Sequence, residues 1–136
     1  MSQHLKRLVL VHWKSGPELE ERCARLEAKG FEVEPMWEEG GAPYRRMKDD
    51  PPFAVVIDLS RLPSHGRQLG RAIRERKSTA TLPIVFVAGS ADKVARVAAE
   101  VAGAIFTSWD EIGTALARAP QQAAKQPTAA QPNIGT

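Results

Sequence analysis

The run Phe53-Ala-Val-Val-Ile-Asp58 is apolar without interruption and closes on a single carboxylate. A strand with one face in water alternates apolar and polar side chains, so a strand that does not alternate must be covered on both faces. Phe53–Asp58 therefore predicts a central parallel strand with helices on either side. Asp58 is placed where that strand emerges at its C-terminal end. The same argument makes Leu82–Val87 a second buried strand and Leu5–Val11, rich in Leu and Val, the first strand of the chain.

Helical stripes separate these runs. Ser15-Gly-Pro-Glu18 has the form of a capping box with an early proline. Leu19, Cys23 and Leu26 follow at i, i+4 and i+7, and Gly30 supplies a left-handed stop, so helix 1 is predicted over Gly16–Lys29. Phe31–Pro35 alternates, as an edge strand does, and an edge tolerates Pro35. The glycines and prolines between Trp37 and Pro52 leave room for a brief helix 2 around Tyr44–Lys48. A loop with Pro63 and Gly66 is then expected to precede helix 3, carrying Leu69, Ala72 and Ile73. Helix 4 is marked by Val94, Val97, Ala98 and Val101. Gly103–Phe106 is a short fifth strand, and Ser108-Trp-Asp-Glu111 is a second capping box opening helix 5 at Ile112 and Leu116.

Five strand-helix units buried in this way imply an α/β fold. With right-handed crossovers, a five-stranded parallel sheet of flavodoxin-like order 2-1-3-4-5 is expected. At 136 residues the chain suits one domain, predicted over 1–119. Residues 120–136 have almost no bulky apolar side chain to offset the entropy of ordering and are expected to form a disordered tail. No apolar run approaches the roughly 18 residues of a membrane span, and Met1–Arg7 does not read as a secretion signal, so a cytoplasmic location is expected. Cys23 is the only cysteine, which excludes an internal disulfide, and its helical spacing makes it a small buried hydrophobe. Arg61 to Lys77 carries six basic residues against Glu75. Without interleaved aromatics or a DNA-binding motif it reads as a solvated helix face, and nucleic acid is not an expected partner.

In a sheet of this kind ligands bind beyond the C-terminal ends of the strands. That places His12-Trp13-Lys14, Asp58, Ala88-Gly89-Ser90 and Thr107-Ser108-Trp109 at the candidate site. The segment Val55–Gly66, with Asp58, Pro63 and Gly66 in order, resembles the phosphoacceptor strand and loop of response-regulator receiver domains. Leu82–Val87 and Ala102-Gly103-Ala104 resemble the fourth strand and the turn before the fifth strand in that family. The resemblance spans about Leu5 to Ala119. It implies that Asp58 stands at the phosphoacceptor position, Ala88 where the family has Thr or Ser, and Phe106 where a switch aromatic often lies.

The same resemblance exposes a degenerate pocket. Receiver domains hold Mg²⁺ with two acidic residues after the first strand, and here those positions are His12 and Trp13, poor ligands for a hard cation. The family's Lys after the fifth strand is replaced by Thr107-Ser108-Trp109. Phosphoryl transfer depends on positioning and charge stabilisation, and each lost group of that kind costs about 3 kcal/mol. The expectation is therefore a pseudo-receiver with no metal, cofactor or catalysis. It would bind a signalling kinase or output protein through helix 4, strand 5 and helix 5. Asp58 would then be a loop-capping carboxylate or an ion-pair partner of His12, Lys14 or Arg61. His12 beside Asp58 has the makings of a base, but no nucleophile accompanies it. Trp13 and Trp109 either fill the vacated pocket or, if exposed, anchor a partner. Two alternatives stand beside this reading. One is a phosphorylatable receiver using Asp58. The other is a flavodoxin-like small-ligand protein holding an anion at Lys14, Ser15 and Gly16, at the start of helix 1.

Overall fold

The computed structural model describes residues 6–37, 42–61 and 63–125. Along the chain it forms β1 (Lys6–Val11), α1 (Pro17–Glu27), β2 (Phe31–Met36), α2 (Ala42–Asp49), β3 (Ala54–Asp58), α3 (Pro63–Glu75), β4 (Ile84–Val87), α4 (Ala91–Glu100), β5 (Ile105–Thr107) and α5 (Ile112–Lys125). The strands make one parallel sheet in the order β2-β1-β3-β4-β5. This is the expected topology. The three strands without polar alternation, β1, β3 and β4, occupy the centre, and alternating β2 lies at an edge.

Because side chains leave a strand on alternate faces, each central strand feeds two cores. Leu8, Leu10, Val56, Val85 and Val87 point to one side, where Leu19 and Leu26 of α1 and Ile112, Ala115 and Leu116 of α5 cover them. Val9, Val11, Val55, Ile57 and Phe86 point to the other, under Met47 of α2, Leu69 and Ile73 of α3, and Val97 and Val101 at α4. Burial of each such Leu, Ile, Val or Phe contributes about 1.5–3 kcal/mol relative to exposure, and this drives the layered arrangement. No helix among the described residues is long and apolar enough to cross a membrane.

Helix α3 approaches the sheet closely, and its glycines show why. A Cβ on Gly66 would stand 3.0 Å from Ile57 and Leu59, and one on Gly70 3.0 Å from Phe86 and Val101. Gly66 therefore belongs to the buried face of α3, with Pro63 opening the helix. The expected loop around these two residues is shorter than the sequence spacing implies. Arg74, one turn further on, donates to the carbonyls of Ala102 and Leu82, each at 2.6 Å, tying α3 to the segments that lead into β5 and β4. Burial pushes its guanidinium down to about 10, so it stays charged at neutral pH.

Other boundaries also move. Helix α1 is capped by Gly16 at φ 136°, with no side-chain cap bond, so the predicted Ser15 capping box does not form. Gly30, at φ 96°, does adopt the left-handed conformation expected after α1. Helix α2 extends the predicted Tyr44–Lys48 turn to Ala42–Asp49. Ala98 is exposed on α4 instead of facing the core. Helix α5 continues past Ala119 to Lys125, so the change to a tail does not fall at residue 120, and residues 126–136 lie outside the described residues. Cys23 is half-buried against the α1–α5 core.

Candidate functional site

The C-terminal ends of β1, β3, β4 and β5 converge on Asp58. This residue closes β3, pairs in register with Val87 of β4, and is 2% exposed. Both of its carboxylate oxygens are engaged. Oδ1 accepts from the backbone N–H of Ser60 at 2.7 Å and from the Ser60 hydroxyl, a local turn in which the side chain replaces a backbone acceptor. Oδ2 accepts from the indole Nε1–H of Trp109 at 3.1 Å. Hydrogen bonds of this kind satisfy a buried carboxylate that would otherwise be costly to desolvate.

Trp109 stands directly after Ser108, at the start of a short 3-10 turn (Trp109–Glu111), and is 7% exposed. The predicted second capping box forms in part, with Ser108 Oγ accepting from Glu111 N at 3.2 Å. Helix α1 clamps the indole from outside. The Arg22 guanidinium lies 4.9 Å above its ring, and Arg25 donates to the Trp109 carbonyl at 3.4 Å. A cation over an indole face adds to the burial that already fixes the ring.

His12 follows β1 and is as buried as Asp58. Its backbone N–H donates to Met36 O at 2.9 Å, and its Nδ1 lies 3.0 Å from the Lys14 carbonyl. A carbonyl only accepts, so Nδ1 carries a proton. Nε2 then faces Glu18 at 3.7 Å and Asp58 at 4.0 Å without a hydrogen bond to either. Of the cations named as possible partners of Asp58, His12 is the one within 4.0 Å among the described residues; Lys14 and Arg61 are not. Trp13 turns to the opposite core, half-buried, with its ring edge-on to His65 at a centroid distance of 5.7 Å. The two tryptophans thus fill space on either side of the sheet end, and the exposed aromatic there is Trp37, which follows β2 and is 44% exposed.

Ala88 is exposed and held at φ 66°, a left-handed conformation that costs an L-residue about 1 kcal/mol or more. It carries no hydroxyl. Gly89 lies against Leu59, which a Cβ would approach to 2.9 Å. Phe106 is half-buried and stacks on Phe86 at 5.4 Å and 14°. Lys14, Ser15 and Gly16 border a recess of about 90 Å³ with His12, Pro17, Glu18 and Arg61. Gly89 and Ser90 do not line it, so they do not face this group across the sheet end. The carboxylate of Glu18 on its wall opposes an anion there.

The receiver resemblance implies Mg²⁺ at this sheet end, and the donor set does not suit it. Mg²⁺ takes an octahedron of oxygens, whereas this position offers an imidazole and an indole, and the carboxylate of Asp58 already accepts three hydrogen bonds. Among the described residues no group of three or more His, Cys, Asp or Glu is placed to hold a metal ion. Sequence reasoning anticipated Asp58 as a loop-capping carboxylate without naming Ser60, and missed the bond from Trp109 to Asp58 and the facing of Glu18 to His12. The Asp58-Leu-Ser60 spacing was a readable signal for the turn. The bond from Trp109 spans fifty-one residues, and Glu18 meets His12 across the turn between β1 and α1.

No protein-family model and no curated protein matches the chain. Solved structures do. A response regulator of Chloroflexus aurantiacus superposes with a TM-score of 0.68 at 20% identity, covering 90% of this chain and all of that one. The chemotaxis protein CheY4 of Vibrio cholerae gives a TM-score of 0.68 at 17% identity over 85% of this chain and 99% of its own. NtrX of Brucella abortus gives 0.69 at 18% identity, matching 89% of this chain but 28% of the larger protein. With its strand order and alternating layers, this chain has the five-stranded, flavodoxin-like fold of response-regulator receiver domains.

Proposed function

We propose that the chain is a non-catalytic pseudo-receiver, an interaction module of a bacterial-type signalling system that works without phosphorylation. The observation that carries this reading is the state of Asp58. A phosphoacceptor carboxylate must present a free oxygen to an incoming phosphoryl group, beside cations that neutralise its charge. Asp58 is 2% exposed, and both oxygens are occupied by Ser60 and Trp109. The indole of Trp109 donates a hydrogen bond but has no positive charge to offer a phosphate.

The rest of the pocket agrees. His12 and Trp13 replace the paired acids, and Ala88 has no hydroxyl to follow a phosphoryl group. Phe106, fixed on Phe86, has no such partner to draw it inward. The function that remains to such a domain is to present its surface to a protein, a kinase or an output protein. By the receiver resemblance the face would be α4, β5 and α5.

The test is incubation with acetyl phosphate and Mg²⁺ followed by intact mass measurement. The expected result is no phosphoryl adduct under conditions that label an active receiver domain. An adduct that disappears in Asp58→Asn would overturn the proposal in favour of a phosphorylatable receiver.

A further inference from the structure

We infer that the groove between the N-terminal turns of α3 and α4 docks an acidic segment of a protein partner, one that presents an apolar side chain between its carboxylates. The inference rests on the reading of the chain as an interaction module and adds the chemistry of what it recognises. The starting observation is charge. Residues 61–100 carry eight Lys and Arg against three Asp and Glu, while the whole chain carries nineteen against sixteen, so the remainder is net acidic. The basic excess is thus concentrated on the part of the fold built by α3, β4 and α4.

Within it lies a cavity of about 270 Å³, lined by Pro63, Ser64, Val97, three cations (Arg67, Lys93 and Arg96) and one carboxylate, Asp92. Val97 is 2% exposed and, with Pro63, gives the cavity an apolar floor. Its rim is net cationic, with three cations to one carboxylate. Arg67 shares Glu100 with Arg71, at 3.5 and 3.6 Å, and Arg71 also pairs with Glu75 at 3.4 Å. Lys93 and Arg96 are exposed and have no carboxylate within 4.0 Å among the described residues. They stand at i and i+3 on α4, on one side of that helix. Uncompensated cations around an apolar depression complement an anionic segment with one hydrophobic anchor, since charge steers the encounter and the anchor supplies the desolvated contact.

Nucleic acid suits the groove less well. Sequence-tolerant binding of single strands uses aromatic faces beside the cations, and the one Phe, Tyr or Trp between residues 61 and 100 is Phe86, which is 1% exposed. A bare phosphate would use the rim and leave the apolar floor without a role.

The experiment measures fluorescence anisotropy of a labelled peptide of alternating Glu and Gly with one central Leu, titrated with the full chain. Saturable, salt-sensitive binding is expected, weakened roughly tenfold or more by Lys93→Glu with Arg96→Glu and severalfold by replacing the peptide's Leu with Gly. Both substitutions are on an exposed helix face, and circular dichroism checks that the fold is kept. Arg45→Glu, exposed on α2 and outside both the cavity and the α4, β5 and α5 face, controls for net charge and should leave binding within about twofold after allowing for screening. Equal binding by the Lys93 and Arg96 variant, or indifference to the central Leu, would overturn the inference. So would binding of oligothymidylate but not the peptide through the same two residues. Failure here leaves the phosphodonor result at Asp58 untouched, and labelling at Asp58 would sink the pseudo-receiver reading without altering the groove, so the two failures are distinguishable.

Discussion

The proposed inertness of the site depends on the contact between Trp109 and Asp58, and a double-mutant cycle measures that contact. The bond runs from an indole N–H to a carboxylate at 3.1 Å, with the two residues 7% and 2% exposed. A hydrogen bond to a charged group contributes about 1.5–3 kcal/mol, and burial places this one near the middle, at about 2 kcal/mol. Trp109→Phe removes the donor but also trims the ring, which adds a packing loss of about 1–2 kcal/mol. The variant should therefore lose about 3–4 kcal/mol in total. In the Asp58→Ala background the donor has no acceptor to lose, so the same change should cost only the packing part, and the difference isolates the bond. Urea unfolding followed by far-ultraviolet circular dichroism, with the slope unchanged between variants, gives each corner of the cycle. A coupling below about 0.5 kcal/mol would refute the claim that Trp109 holds the carboxylate, since such a value lies within the usual additivity error.

Gly70→Ala should destabilise by about 1–3 kcal/mol, because the new methyl meets Phe86 and Val101 at 3.0 Å in a packed layer; a melting temperature at or above that of the native chain would contradict the close approach of α3. Ala88→Gly relieves the left-handed backbone at a gain of up to about 1 kcal/mol, partly offset by the freedom glycine restores to the unfolded chain, and a marked loss of stability in thermal melts would show that φ 66° is wrong. Thr79→Val should cost about 1 kcal/mol in urea melts, since the buried hydroxyl donates to the Ile73 carbonyl at 2.7 Å and the substitution leaves that acceptor unpaired. Burial, then Glu27 and Glu20, push the Cys23 thiol above its ordinary value. A raised acid keeps its proton to higher pH, so alkylation by iodoacetamide should rise later on the pH axis than for a cysteine peptide, and Glu27→Gln should shift the curve back toward it.

The residues that were legible in advance share a local cause. Phe53–Asp58, Leu82–Val87 and Leu5–Val11 announce two-sided burial by the absence of alternation, and Phe31–Pro35 announces an edge by its presence. Once the central and edge strands were sorted, connection rules left few topologies, and the flavodoxin-like order 2-1-3-4-5 was the one expected among them. It is the order observed. The group at the sheet end was also legible, because parallel strands deliver the residues that follow them to a common edge. Boundaries were less so. Gly66 read as a loop glycine, yet it is a buried helical residue chosen for clearance from Ile57 and Leu59, a demand set by residues distant in sequence or facing it from the sheet. Gly16 took the cap from Ser15 because the chain turns back over β1 with a positive φ that serine resists.

Periodicity reports which faces are buried, and composition at the strand ends reports which groups are present; from these the fold and the central place of Asp58 could be read, and the receiver resemblance implied the missing acid pair and Lys. How the Asp58 oxygens are satisfied could not be read. Its partner Trp109 lies fifty-one residues away, and its own orientation depends on Arg22 stacking from α1. Hydrogen bonds and ring contacts of that span carry no sequence period, since they arise only when crossovers of fixed hand bring β1, β3 and β5 to one edge, and whether a carboxylate there is open or sealed depends on side-chain packing in three dimensions.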